Sequence, residues 1–312
     1  MKQVFTRRSA TMLLFLAVAF PESLLGQQTS DRLTLYFSEV RAGKNPAIPN
    51  EVLKADHAKA VLTALATYQS DTLASVRLKV YTIEHRLGHE SKQGAVRQVA
   101  VDKLVQGARD KDSGNAGLAL DYLTTFGKDD FTAASKDSLR NILRTNPAHI
   151  DQVFKLIGFL ELADVKETIR PYTLAGNPQA VRWAALVSLA RMNDLPAINE
   201  VMRRVRKLPV NDDVIYKIFP DLVYTRHTEA IRYMVEVLYS DEKNCLSADA
   251  EREEPIPCAY RIMEQLAPII DGYPLPLDES GDIKTNDYQA ALKKVREWFS
   301  KHRNYTVLRD RF

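Results

Sequence analysis

The sequence predicts an all-α protein made of stacked helix pairs, and two features of its apolar pattern lead to this prediction. Apolar residues recur every four residues through most of the 312-residue chain, which favours helices over strands. Each run follows a turn rich in Asn, Asp, Pro or Gly, and the runs start at residues 76, 116, 150, 181, 214 and 258. Starts about 30 to 45 residues apart, each followed by a second amphipathic stretch, are typical of an α-solenoid. We predict a right-handed α-solenoid of about six helix pairs, with a non-repetitive helical bundle as the alternative.

The first 26 residues have the order of regions found in a secretory signal peptide. Basic residues at positions 2, 7 and 8 precede the uncharged apolar stretch 11–20, and Gly26 is a small residue at the expected cleavage point. That stretch is far shorter than the ~20 residues that span a bilayer. We predict export to a periplasmic or extracellular location in the bacterial envelope, with an uncleaved anchor helix as the alternative. No transmembrane segment is expected in the mature chain.

The repeated part is predicted over residues 50–303, after an N-terminal linker at 27–49. Pro46 and Pro49 lie in a loop before the first helix, which is predicted over 50–69. The predicted second helices of the pairs cover 71–87, 113–126, 149–161, 177–192, 211–224 and 259–271. The predicted first helices between them cover 92–109, 131–144, 164–173, 195–207 and 227–240. A terminal helix over 287–301 is expected to close the core, ahead of a C-terminal tail at 304–312.

Two cysteines bracket most of an irregular insertion at 240–257. Cys245 and Cys258 are the only cysteines of the chain, and in an oxidising compartment a pair this close in sequence predicts a disulfide. Two free thiols or half of a metal site are the alternatives. The disulfide would clamp the tail of one helix to the head of the next.

The stretch 174–192, LAGNPQAVRWAALVSLARM, resembles the second half of a HEAT repeat. It has a turn, then Val181-Arg182, then spaced Ala and Leu residues, and Val76-Arg77 after Asp71 is similar. The resemblance covers residues 71–303 and implies a divergent, secreted bacterial member of the HEAT-like α-solenoids. It also implies a scaffold that binds other proteins or peptides along a concave groove lined by the second helices.

The charge balance argues against a nucleic-acid partner. The chain has 43 Lys+Arg and 40 Asp+Glu, a formal net charge of +3, whereas dedicated nucleic-acid binders carry a clear basic excess. The predicted first helices are positive on balance and the second helices slightly negative. We therefore expect a basic convex side, and its densest cluster is Arg203, Arg204, Arg206 and Lys207.

Motifs for catalysis are absent from the sequence. It contains no nucleophile elbow, phosphate-binding loop, zinc-protease motif or dinucleotide fingerprint. His85 and His89 are four residues apart, but Gly88 between them predicts a helix end rather than a zinc site. Asp212 and Asp213 lie where a helix start favours carboxylates without any catalytic role. No cofactor and no metal site are expected, and an enzymatic role is not favoured.

We predict a non-catalytic scaffold that binds a protein or peptide partner. The alternatives are a cofactor- or protein-modifying enzyme or helper on the same fold, and a purely structural envelope spacer. Periodicity places candidate groove residues on the second helices. These residues are Arg77, Tyr122, Asp151, Arg182, Tyr216 and Arg261.

Overall fold

Helices form the framework of the protein in the computed structural model, which describes residues 22–247 and 254–312. No β-strand is present in those two ranges, where β-pairing is limited to isolated bridges. The all-α fold class is therefore confirmed, whereas the solenoid form stays a prediction. In chain order the α-helices are α1 (Glu22–Arg41), α2 (Ala58–Ala64), α3 (Ala66–Gln69), α4 (Ala74–His89), α5 (Gly94–Gly107), α6 (Ser113–Leu123), α7 (Ala133–Arg144), α8 (Ile150–Phe159), α9 (Lys166–Ile169), α10 (Gln179–Arg191), α11 (Leu195–Val205), α12 (Asp212–Lys217), α13 (Phe219–Thr225), α14 (Thr228–Leu238), α15 (Ala259–Leu266) and α16 (Tyr288–Lys301).

The helices pack in two layers. The predicted second helices form one layer, in which α4, α6, α8, α10, α13 and α15 each contact the next. In the other layer, α2 contacts α5, α5 contacts α7, and α11 contacts α14. Consecutive helices also pack across the layers, as α4 does on α5 and α10 on α11. Each amphipathic helix thereby buries an apolar stripe that it cannot bury alone.

Polar side chains begin several of these helices. Each accepts a hydrogen bond from the backbone N–H three residues later, which satisfies a donor that the helix itself leaves unpaired. These capping side chains are Asp112, Thr132, Asp194, Asn211 and Asp287. The turn residues of the sequence thus set where the helices start.

A recurring arginine–carboxylate pair joins neighbouring parts of the stack. In each pair, an arginine binds an acid that lies 24 to 33 residues further along the chain. The carboxylates of Asp71, Asp110 and Asp194 also accept backbone N–H groups of their own turns or caps. One acid therefore both shapes a turn and ties it to the preceding unit. The pairs are Arg41–Asp71, Arg77–Asp110, Arg97–Asp130, Arg140–Asp164, Arg170–Asp194 and Arg206–Glu236.

The apolar core runs the length of the stack, and it encloses the C-terminal part of α10. Every residue from Ala184 to Arg191 is buried. A stretch that is buried on all sides needs apolar residues around its whole circumference, and six of these eight residues are apolar, Ser188 and Arg191 being the exceptions. This is the stretch whose sequence most resembles a HEAT repeat.

The N-terminal region differs from the expected linker. Residues 27–41 belong to α1, which packs on α2 and α4. Its Leu33, Phe37 and Val40 are buried, because their helical spacing forms an apolar stripe. The signal-peptide prediction falls mainly on residues 1–21, which lie outside the described residues. The helix predicted over 50–69 starts at Ala58 and is interrupted at Leu65.

The helix end predicted at Gly88 falls one residue later, because α4 ends at His89. Gly88 is buried and packs against Ala100 of α5. A Cβ on Gly88 would approach the Cβ of Ala100, so this glycine allows two helices to pack closely. The C-terminal tail lies against the ends of α8, α10 and α13. None of the described helices has the length and apolar character needed to cross a membrane.

Candidate functional site

A series of polar and aromatic side chains joins one second helix to the next along the surface of that layer. We call this series the second-helix strip. Most of its members are half-buried, so they are held by neighbours and still reach solvent. The strip consists of His85, Asp121, Tyr122, Gln152, Lys155, Trp183, Tyr216, Asp221 and Arg261.

At the α4 end of the strip, His85 and Tyr122 stack face to face. Their ring centroids are 4.1 Å apart and the rings are 6° from parallel. The His85 Nε2 lies 3.0 Å from the Thr125 hydroxyl, and the Tyr122 hydroxyl lies 3.3 Å from that of Thr82. Burial, with a smaller contribution from His89, lowers the pKa of His85 to about 4. The imidazole is therefore neutral at pH 7, and the stacked pair is a rigid aromatic surface.

The middle of the strip is a set of hydrogen-bonded charges. The Gln152 amide donates to Asp121 at 2.6 Å, which links α8 to α6. Lys155 donates to Asp221 at 2.7 Å, and the Trp183 indole N–H donates to the other oxygen of the same carboxylate. Three helices thus share one carboxylate, which orients the lysine and the indole together.

At the other end, the exposed ring of Tyr216 lies beside the largely buried side chain of Arg261. Tyr216 is 57% exposed, and the Arg261 guanidinium carbon lies 5.9 Å from the centroid of its ring. The same guanidinium pairs with Glu264 at 3.6 Å, and Glu264 accepts the Tyr288 hydroxyl at 2.8 Å. An exposed tyrosine ring with a cation near its face is a combination found at protein interfaces.

Arg77 has a different place from the one predicted. It is buried, and its guanidinium makes two 2.7 Å hydrogen bonds to the fully buried carboxylate of Asp110. The Tyr81 hydroxyl donates to the same carboxylate at 2.7 Å. Burial opposes ionisation of Asp110, but the hydrogen bonds from Arg77, the backbone and Tyr81 together lower its pKa to about 2. Arg77 is thus held inside the structure and does not lie on the strip.

The other predicted groove residues are separated. Tyr122, Tyr216 and Arg261 lie on the strip, but Asp151 lies in the first turn of α8 and makes none of the strip contacts. Arg182 donates to the backbone oxygen of Ala175, in the loop before its own helix, at 3.0 Å. The structure brings together Tyr216 and Arg261 and leaves Arg182 and Asp151 apart from them.

The predicted basic cluster on α11 is largely paired with acids. Arg203 and Arg204 both bind Glu200, at 2.7 and 2.6 Å. Hydrogen bonding to Arg203 is the main reason that the pKa of Glu200 falls to about 2. Arg206 binds Glu236 at 2.9 Å and lies 4.7 Å from the Tyr233 ring centroid, whereas Lys207 is exposed. These carboxylates reduce the positive field that the sequence suggests.

The predicted disulfide is confirmed. Cys245 and Cys258 are bonded at 2.07 Å, and the backbone of Cys245 pairs with that of Ile256. The bond ties the segment after α14 to the residue that precedes α15. A cavity of about 980 Å³ lies between this segment and α16, with Tyr260 and Arg296 among its lining. Residues 248–253 of the insertion lie outside the described residues.

The candidate chemical residues have structural partners. The rings of His85 and His89 stack at 5.4 Å, and no cluster of three or more potential metal ligands occurs within residues 22–247 and 254–312. Asp212 accepts the backbone N–H of Leu246 at 2.7 Å, and Asp213 pairs with Lys217 at 2.8 Å. Both aspartates stabilise a helix start and its surroundings, as their position predicts.

Two features escaped sequence reasoning. Glu84 is fully buried in α4 although its charge suggests an exposed face. Arg191, Arg226 and Arg309 meet at the ends of three helices, although 118 residues separate Arg191 from Arg309. No sequence signal links such distant residues, because a solenoid-like pattern encodes neighbouring contacts only.

No protein-family model, curated protein or solved structure matches the chain. The HEAT resemblance therefore remains a prediction that rests on the quoted residues.

Proposed function

We propose that the protein is an exported, non-catalytic scaffold that binds a protein or peptide partner along the second-helix strip. The exposed Tyr216 ring, with Arg261 beside it, is the observation that carries this proposal. Tyrosine and arginine are enriched among the residues that dominate binding energy at protein interfaces. Here an exposed tyrosine ring lies beside a guanidinium that pairs with Glu264.

The rest of the strip supports an extended contact surface. It crosses from α4 to α15 and alternates aromatic rings with paired charges. Because neighbouring side chains already fix most of these groups, binding a partner would cost little additional side-chain entropy in the strip. The disulfide agrees with folding in an oxidising compartment, as the proposed export requires.

A site-specific photo-crosslinking experiment tests this proposal. A photoreactive phenylalanine replaces Tyr216 in one variant and the equally exposed Leu35, on α1, in a matched control. Both variants are expressed in the native envelope. We expect the first to form one discrete adduct that the control does not form, and we expect Arg261→Ala to reduce its yield at least tenfold. Identical adducts at the two positions, or none at position 216, would refute the proposal.

A further inference from the structure

The C-terminal segment is bound to the helical framework as an extended peptide. Val307 pairs with Ile270 in an antiparallel bridge, and the Leu308 N–H donates to the backbone oxygen of Ile269 at 2.9 Å. The Asp271 N–H donates to the oxygen of Thr306 at 3.0 Å. The segment then crosses the ends of α13, α10 and α8.

Arg309 of this segment joins three helix ends. Its guanidinium donates to the Glu161 carboxylate at 2.9 and 2.6 Å, just beyond α8. It also donates to the backbone oxygens of Arg191, at 2.8 Å, and of Arg226, at 3.0 Å. These oxygens lie at the ends of α10 and α13, where a helix dipole favours a cation. The framework thus provides one carboxylate and two backbone oxygens that together bind one guanidinium.

Two arginines of the framework bind the main chain of the same segment. Arg191 donates to the backbone oxygens of Arg309 and Arg311 at 2.9 and 3.2 Å, and Arg226 donates to that of Phe312 at 3.2 Å. Both arginines are buried, at 0% and 6% exposure. Burial lowers the pKa of each to about 10, so both remain charged at neutral pH. Contacts to main-chain oxygens do not depend on which side chains the bound segment carries.

An aromatic pocket receives the last residue of the segment. The Phe312 ring lies 5.6 Å from the Phe159 centroid and 5.3 Å from the Tyr224 centroid. The Arg191 guanidinium lies over both of these framework rings, at 5.8 and 5.5 Å. Leu308, Asp310 and Arg311 are exposed. The segment therefore engages the framework through Arg309, Phe312 and its backbone.

We infer that these helix ends form a peptide-binding site, the arginine cleft, with residues 307–312 as its resident ligand. The cleft is defined by Phe159, Glu161, Arg191, Tyr224 and Arg226. It takes an extended peptide in which an arginine is followed three residues later by an aromatic residue. If the cleft were empty, Arg191 and Arg226 would lose their hydrogen bonds to the segment, although each keeps a carbonyl partner in the framework, that of Tyr224 or Val223. A partner therefore gains access by replacing the segment with a peptide of the same pattern.

This inference does not rest on the second-helix strip, because the cleft lies at other residues. The tethered segment competes at an effective concentration on the order of millimolar, so an outside peptide binds well only when the resident ligand is weakened. The double substitution Arg309→Ala/Phe312→Ala removes both side-chain anchors and leaves the cleft residues unchanged.

Fluorescence polarisation with a labelled peptide of residues 303–312, RNYTVLRDRF, tests the inference on the full chain. We expect the peptide to bind the double variant at least tenfold more tightly than the wild type. A peptide with alanine at the positions of Arg309 and Phe312 should bind neither protein measurably. Adding Arg226→Met to the double variant should weaken binding at least tenfold. Equal affinity for wild type and double variant, or no binding to a double variant with wild-type circular dichroism, would overturn the inference.

Hydrogen exchange on the wild type provides a second test that does not need a folded variant. Unlabelled peptide at a concentration well above the millimolar effective concentration of the tethered segment should displace that segment, which frees the Leu308 amide from Ile269. We expect at least a tenfold faster exchange of that amide, with the core amides of α10 unchanged. Exchange at Leu308 that the peptide leaves unchanged would show that the segment is a permanent part of the fold and would overturn the inference.

Discussion

Glu84 makes the stability of the protein sensitive to pH. Its carboxyl group is fully buried in α4, and neither oxygen has a hydrogen-bond partner among the described residues. Burial raises the pKa of Glu84 from 4.5 to about 8, although the charge of Lys103 acts in the opposite direction. The folded protein therefore holds a proton that the unfolded chain releases at neutral pH.

The sign and size of the effect follow from linkage. Below pH 4.5 both states are protonated, so the stability contribution of Glu84 is fully present. Between pH 4.5 and 8 the unfolded state binds fewer protons, and the free energy of unfolding falls by ~1.4 kcal/mol per pH unit. The loss over the whole window is about 5 kcal/mol. Above pH 8 the folded state also loses its proton, and the contribution stays constant.

The test compares the wild type with Glu84→Gln by urea denaturation at pH 5, 6.5 and 8, followed by circular dichroism. Glutamine cannot ionise, so the variant should gain about 3–4 kcal/mol relative to the wild type between pH 5 and 8. The unpaired amide lowers its stability by a pH-independent 1–3 kcal/mol. Glu297→Gln, on the exposed surface of α16, is the matched control and should follow the wild type. Parallel pH curves for the wild type and Glu84→Gln would refute the reasoning.

Three further predictions concern packing and covalent links. Gly88→Ala should lower the free energy of unfolding by about 1–3 kcal/mol, because its Cβ would lie 2.4 Å from that of Ala100. Gly176→Ala should change the free energy of unfolding little, since nothing lies within 4 Å of its added Cβ. Thermal melting of the two variants checks this difference. Arg77→Ala should lower the free energy of unfolding by about 3 kcal/mol or more, because it leaves a buried carboxylate without its cation. Lys217→Ala, which breaks an exposed ion pair, should lower it by under ~1 kcal/mol. Urea denaturation measures both losses. An equal loss in both variants would contradict the role of burial. Reducing the disulfide should lower the free energy of unfolding by ~3 kcal/mol, because the unfolded chain regains the entropy that the closed loop had removed. Equal thiol labelling of the denatured protein with and without reductant would show that the bond is absent.

Helix positions were predictable because their causes are local. The second helix predicted over 177–192 is α10 (Gln179–Arg191), and the one over 113–126 is α6 (Ser113–Leu123). Apolar spacing marks the buried stripe, and a capping residue such as Asp112 marks the start. The cysteine pair was predictable for the same reason, since its two members are close in sequence.

Burial of individual polar groups was not predictable from periodicity. Arg77 and Tyr216 both lie on second helices, yet Arg77 is buried in an ion pair with Asp110, whereas Tyr216 is 57% exposed. Their difference arises from which neighbouring helix covers each position. Glu84 likewise occupies a helix that packs on both α5 and α6, so a charged residue lies inside.

The sequence by itself determined the all-α class, the places where most helices begin, and the disulfide, because periodicity, capping and short-range pairing act between residues close along the chain. Only the tertiary structure decided that α1 joins the core, that Tyr216 meets Arg261, and that Arg309 reaches Glu161 across 148 residues. Such contacts depend on how the layers stack and where the chain returns to them. These are long-range outcomes of burying one continuous core, and no local pattern records them.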